Sequence, residues 1–318
     1  MNLEVRPFEN TDTADVCRLF RAHYAGAGLF VETTPMSFDL CIFSKPYFDP
    51  TELMVAESDT GELFGFVHVA FGPNEDLSGL DPRDGVLCSL CIVPGDQGEL
   101  AAQALIQAVQ AWITAHQIRR IRTSPLPPSC PFYVGLAPGD GMIGVPECDV
   151  RSPAWLQQLG MVPLKRVSAW ELDLAAFQPP VDRLQIQIRR TAHVDRMLEE
   201  PIQPWYTACM LGHTEQIGFQ LTSRAEGKVA AEISAWAIAN DVLPDPFVTA
   251  HLWPVELQSA SVDEMIFLLA ESLRQLRDER FDRVLTTLPD EATAMEAVLG
   301  RLGFRPQVSG IIFGSDFA

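Results

Sequence analysis

The chain has 318 residues, 47% of them hydrophobic, and a formal net charge of −19 at pH 7. At roughly 100–200 residues per domain, this length suggests two domains, each with enough apolar residues for a packed core. The acidic balance argues against nucleic acid or anionic membrane as partners, since both favour basic surfaces.

Leu3 to Pro7 alternates and predicts a first strand. In Thr11 to Tyr24, Val16, Leu19, Phe20 and His23 fall at helical spacing, with Asp12 or Thr13 as a cap. A less regular stretch with Phe30, Phe38, Phe43 and Phe48 follows, to about Pro50. Leu53 to Glu57 and Leu63 to Phe71, around a turn containing Gly61, predict a hairpin. Phe64, Phe66, His68 and Ala70 share one face of it by period two. Pro73 to Gly85 reads as an acidic loop.

Val86 to Val93 is an apolar run of buried-strand length, broken only by Ser89. Pro94 to Gly98 reads as a turn. From Glu99 the apolar residues Ala101, Ala104, Leu105, Ala108, Val109 and Trp112 recur at helical spacing. Free N–H groups at such a helix start, with the positive end of its dipole, suit a phosphate or pyrophosphate. Neither GxxxxGK[ST] nor GxGxxG occurs at this turn. Ile118 to Thr123 predicts the next strand, and Pro125 to Val150 a long Pro- and Gly-rich loop. A short helix, Ser152 to Gly160, and a strand, Val167 to Leu174, end this half.

This strand, turn and helix resemble the signature of the GNAT acetyltransferase superfamily. In that family a strand ending in V-P or V-x-P precedes [QR]-x-x-G-x-[GA], which opens a helix holding the pyrophosphate of acetyl-CoA. The matching residues are Val93-Pro94, then Gln97, Gly98, Glu99, Leu100, Ala101 and Ala102. Gln97 and Ala102 fit, whereas Leu100 stands where the family has glycine. The order β-α-β-β-β-α-β is also that of the GNAT fold. The resemblance implies an acetyl-CoA co-substrate held by residues 92–102, with a backbone N–H of Ile92 or Val93 polarising the acetyl carbonyl. It implies direct attack by an amine acceptor, a small molecule or a peptide. The family's Tyr, which protonates the departing thiolate, is replaced by Leu156.

After Pro179-Pro180 the pattern restarts. Leu184 to Arg190 alternates as a strand, and Glu200 to Gly212 is partly helical. Phe219 to Ser223 and Val229 to Ile238 form a second hairpin, and Phe247 to Trp253 a strand. Ser261 and Glu264 make a capping box opening a helix with Met265, Leu269, Leu273 and Leu276 on one stripe. Arg283 to Thr287, Ala292 to Gly303 and Val308 to Gly314 read as strand, helix and strand. Leu159-Gly160-Met161-Val162-Pro163 and Leu302-Gly303-Phe304-Arg305-Pro306 mark an internal repeat. The expected fold is therefore α/β (an α+β mixed sheet): two GNAT-like domains in tandem, each a mostly antiparallel twisted sheet flanked by helices. Residues 1–176 carry the acetyl-CoA motif, 177–182 link, and 183–318 form a degenerate copy. In that copy the turn 255–260 has no glycine and adds Glu256.

The candidate catalytic residues are Tyr133, which could replace the missing acid, and Asp84 and Glu147 as bases. Cys88 and Cys91 form a CxxC, expected on opposite faces of a strand, and no metal site accompanies them. The seven cysteines point to reduced thiols, and the N-terminus lacks a signal pattern, so a cytoplasmic protein is expected. The tandem arrangement allows a monomeric pseudo-dimer or a homodimer. Three readings stand: an N-acetyltransferase, a silent module binding acyl-CoA, a metabolite or a partner, and a hydrolase or isomerase, which lacks any Ser-His-Asp pattern.

Overall fold

A computed structural model describes residues 3–31, 33–123, 132–136, 143–197, 204–238, 247–253 and 260–317. In the first half, β1 (Leu3–Pro7) leads to α1 (Thr13–Gly26) and the short α2 (Pro35–Phe38). Then come β2 (Leu53–Ser58), β3 (Leu63–Pro73), β4 (Leu80–Ile92), α3 (Asp96–His116) and β5 (Arg120–Thr123). A two-residue β6 (Val145–Pro146), α4 (Ser152–Gln158) and β7 (Val162–Asp173) complete it. The second half runs α5 (Arg183–Thr191), β8 (Ala192–Arg196), α6 (Trp205–Leu211), β9 (Glu215–Ser223), β10 (Val229–Ala237) and β11 (Thr249–Leu252). It ends with α7 (Val262–Asp278), β12 (Arg283–Pro289), α8 (Thr293–Leu302) and β13 (Arg305–Asp316).

All these strands join one sheet, ordered β1-β2-β3-β4-β5-β13-β7-β12-β11-β10-β9-β8, with β6 on β13. Two pairs are parallel, β4 with β5 and β11 with β12, each bridged by a long helix. The last strands cross between halves. β13 pairs with β5 (Ser315↔Ile121), and β7 pairs with β12 (Leu285↔Glu171) and β13. One core lies between α1, α2 and the sheet, a second under α3 and α4, and a third under α7 and α8.

Several expectations shift locally. Leu184 to Arg190 is α5, not a strand, because the Asp182 carboxylate caps Gln185 N–H and the strand waits until Ala192. β4 begins at Leu80, inside the expected loop, pairing with Pro73. α3 begins at Asp96, three residues before Glu99. A register shift in β3 sends Phe64 to the core under α3, while Phe66 and Ala70 face α1. A bulge in β4, where His68 pairs with Ser89 but Val69 with Leu87, turns Cys88 and Cys91 to the same face. The capping box at Ser261 and Glu264 forms as expected. Gly160 and Gly303, ending α4 and α8, both have positive φ, 72° and 92°, as the shared motif requires.

Candidate active site

The parallel pairing of β4 and β5 runs from Asp84↔Arg120 to Leu87↔Thr123 and stops there. Beyond it β4 continues to Ile92 with β3 as its one paired strand among the described residues, so its second edge is open there. The far side of the opening is closed by residues 143–146, which lie on β13 from the other half. They approach so closely that a Cβ on Gly144, at φ 70°, would meet the Ile311 carbonyl oxygen at 2.5 Å. Phe313 N–H donates to Thr123 Oγ1 at 2.9 Å, tying β13 to the end of β5. The resulting cleft, about 410 Å³ including its open mouth, is lined by His23, Cys88, Ser89, Thr123, Asp149 and Leu156, among others.

His23 comes from the buried stripe of α1 and is 3% exposed. Its Nε2 lies 3.2 Å from Asp149 Oδ2, and Asp149 is also 3% exposed. The Asp149 carboxylate further accepts from the Ser152 hydroxyl and from the N–H groups of Arg151 (3.1 Å) and Ser152 (3.3 Å). Asp149 thus takes up two backbone N–H groups at the start of α4. Burial pushes the Asp149 pKa up, but bonds from His23 and Ser152, with the charge His23 carries when protonated, outweigh it and hold it at about 2. An ionised Asp149 places the His23 proton on Nε2 and leaves a lone pair on Nδ1. That lone pair accepts from Ile92 N–H at 3.4 Å and faces Arg151 Nη2 at 3.3 Å. Arg151 also donates to the carbonyls of Ile92 (3.2 Å) and Val93 (3.4 Å).

α3 opens at the end of β4 from Gly95, at φ 100°, with no side-chain cap. Gly98 packs on the strand end so closely that a Cβ would fall 1.9 Å from the Val93 carbonyl oxygen. Gln97 Oε1 is buried and lacks a hydrogen-bond partner. Leu100 is 47% exposed, while Ala101 and Ala102 are fully buried in the core under α3. Glu99 accepts from Trp155 Nε1 at 3.2 Å, linking α3 to α4. Val93 N–H donates to Phe64 O at 3.1 Å, so it faces β3 rather than the open edge.

The other sequence candidates lie apart from His23. Tyr133 is buried in the core beneath α1, its hydroxyl 3.1 Å from His68 Nδ1, and burial raises its pKa well above the usual phenol value. Asp84 is the register partner of Arg120, which binds it through Nε at 2.7 Å. Glu147 pairs at the surface with Arg166 at 2.6 Å, which also reaches Asp290. The Arg166 hydrogen bond holds Glu147 below the usual carboxylate range. Sequence reading passed over His23, Asp149 and Arg151. The available signal was His23 itself, a polar member of an apolar helix stripe. The turn 255–260 of the second half lies outside the described residues up to 259. Among the described residues no group of His, Cys, Asp and Glu forms a metal site, and no helix is long and apolar enough to cross a membrane.

No family model and no curated protein matches the chain. Solved structures match it along its length. A GCN5-related glucosamine N-acetyltransferase region of a fungal multi-domain GH3 β-N-acetylglucosaminidase is 14% identical with a TM-score of 0.72, covering 99% of this chain and 38% of that one. The chain thus spans less than half of that multi-domain protein. A tandem GNAT protein from the clavulanic acid biosynthesis pathway is 15% identical with a TM-score of 0.63, covering 99% of this chain and 98% of that one. A GCN5-related N-acetyltransferase from Sphaerobacter thermophilus is 10% identical with a TM-score of 0.67, covering 99% and 95%. At these identities the likeness is one of fold, and the fold is the tandem GNAT fold of these proteins.

Proposed function

We propose that the chain is an acyl-CoA-dependent N-acyltransferase acting on an amine, with acetyl-CoA as the expected donor and one working site in the first half. The observation that carries this reading is the β4 edge left open beyond its pairing with β5 among the described residues, with an uncapped helix start on one side and the buried His23–Asp149 pair in the cleft beside it. The donor set suits the cofactor in kind. The first N–H groups of α3 offer donors beside the strand end, where a pyrophosphate would lie. Asp96 and Glu99 in that first turn oppose the anion, so affinity should be modest. When bound, the cofactor supplies an acyl carbonyl activated as a thioester.

The chain's own part is proton handling and positioning. His23 Nδ1, held only by the long contacts to Ile92 N–H and Arg151 Nη2, accepts the proton of an incoming ammonium once they give way. Asp149, already ionised and fixed by four hydrogen bonds, orients the ring and stabilises the imidazolium so formed. Burial of both groups strengthens that stabilisation by excluding water. β13 and residues 143–146 wall the acceptor side, so the second half completes the pocket.

The test is titration calorimetry of acetyl-CoA and free coenzyme A into the purified protein. One site per chain is expected, with affinity lost at least about tenfold in Leu100→Glu, which adds a charge at an exposed position one turn into α3. Leu100 is preferred to Ala102, whose full burial would make a glutamate there a folding defect. Absence of binding at millimolar ligand would sink the reading and leave a silent module.

A further inference from the structure

We infer that Arg151 is a built-in occupant of the strand edge an acyl-CoA donor needs, and that the donor must displace it to bind. The inference rests on the N-acyltransferase reading of this cleft. Beyond Leu87 the edge of β4 has no β5 neighbour. An extended ligand carrying amides would pair with such an edge as an added strand does. The pantetheine arm of coenzyme A, two amides on a flexible chain, is such a ligand. In this structure the peptide groups of Ile92 that face this edge are both taken. Its N–H donates to His23 Nδ1, and its carbonyl accepts from Arg151 Nη2 at 3.2 Å.

The same guanidinium reaches the Val93 carbonyl at 3.4 Å and the His23 lone pair at 3.3 Å. One group therefore covers both the strand edge and the nitrogen proposed to take the acceptor's proton. Arg151 lies over the Trp155 ring, 5.4 Å from its centroid, and Trp155 donates to Glu99 on α3. This chain of contacts spans the gap between α4 and α3 along which a ligand would run from strand edge to helix start. All three Arg151 bonds lie at the long end of the hydrogen-bond range, so ligand amides can replace them. Arg151 is also partly exposed, and its head group can move into water without being stranded. Displacement would uncover the Ile92 carbonyl and remove one of the two donors that face His23 Nδ1, leaving only the long Ile92 N–H contact there.

The expected consequence is a tax on affinity, since only the uncovered state binds. The test uses two probes, neutral pantetheine and free coenzyme A, titrated into wild type, Arg151→Met and Arg151→Lys. Methionine keeps an unbranched stem over Trp155 and removes the donors. Lysine keeps the charge but cannot span the carbonyls as a fork. Pantetheine should bind Arg151→Met about tenfold more tightly than wild type, with Arg151→Lys between. Should Arg151→Met fail to fold, the lysine variant carries the comparison alone. Pantetheine bound equally or more weakly by the variants, with coenzyme A still bound by wild type, overturns this inference alone. Binding of neither probe by any of the proteins overturns the N-acyltransferase reading, and this inference with it.

Discussion

His23 shares the buried stripe of α1 with Val16, Leu19 and Phe20, where a ring nitrogen without a partner would be costly. Asp149 and Ile92 satisfy the two nitrogens, and the long Ile92 N–H contact, 3.4 Å, holds the Nδ1 lone pair only weakly. If that lone pair is the proton acceptor, His23→Gln lowers kcat by about 10²–10⁴-fold. Its coenzyme A affinity by calorimetry should stay within about twofold. Parallel loss of binding and turnover would make His23 a strut instead. The stripe made His23 visible in the sequence as an anomaly. Asp149 was not visible, because a loop carboxylate has no periodicity to place it. Asp84 and Glu147 looked equally available, and only the fold supplies Arg120 and Arg166 to engage them. Arg151 meets His23 across 128 residues of sequence, a distance no local pattern spans.

At the scale of elements, the junction of β4 with α3 depends on Gly98. Its Cβ position falls 1.9 Å from the Val93 carbonyl oxygen, a backbone atom that cannot step aside as a side chain would. Gly98→Ala should therefore tilt the start of α3 away from the strand and cost about 1–3 kcal/mol, read from the midpoint of urea unfolding. A variant as stable as wild type would show that the junction is looser than its geometry implies. Most elements were legible from period and punctuation, the β2–β3 hairpin and the capped α7 among them. α5 was not. Leu184, Ile186 and Ile188 alternate as a strand does, yet Asp182 caps the segment and Gln185 bonds across to the Asp263 carbonyl near the start of α7. Tertiary packing overrode a short ambiguous pattern. The β4 bulge was equally hidden, since one extra residue in a strand leaves composition unchanged and reverses faces.

Over the whole molecule, β7 and β13 cross so that each half is closed by strands of the other. Lys45 adds a second tie. It is buried, donates to the carbonyls of Cys209 (3.2 Å) and Met210 (2.7 Å), and faces His213 Nδ1 at 2.7 Å. Burial lowers its pKa to about 8, and burial with the Lys45 charge lowers that of His213 to about 3. Lys45 thus caps the C-terminal end of α6 across the two halves. A fragment of residues 1–176 lacks β13 and the carbonyls that receive Lys45. It should not form a native monomer: sedimentation should show association, and urea unfolding should lose its cooperative step. A monomeric fragment binding coenzyme A as the full chain does would refute this interdependence.

By itself the sequence determined the fold class, the repeat, and the strand-turn-helix at residues 86–112. Apolar periodicity, Gly and Pro punctuation, and capping residues act within a few positions and are written locally. The exchange of final strands, the pairing of His23 with Asp149, and the seat of Arg151 on the strand edge were decided by tertiary structure. Each joins groups distant in sequence, whose partners are chosen only when the sheet closes and water is excluded between them.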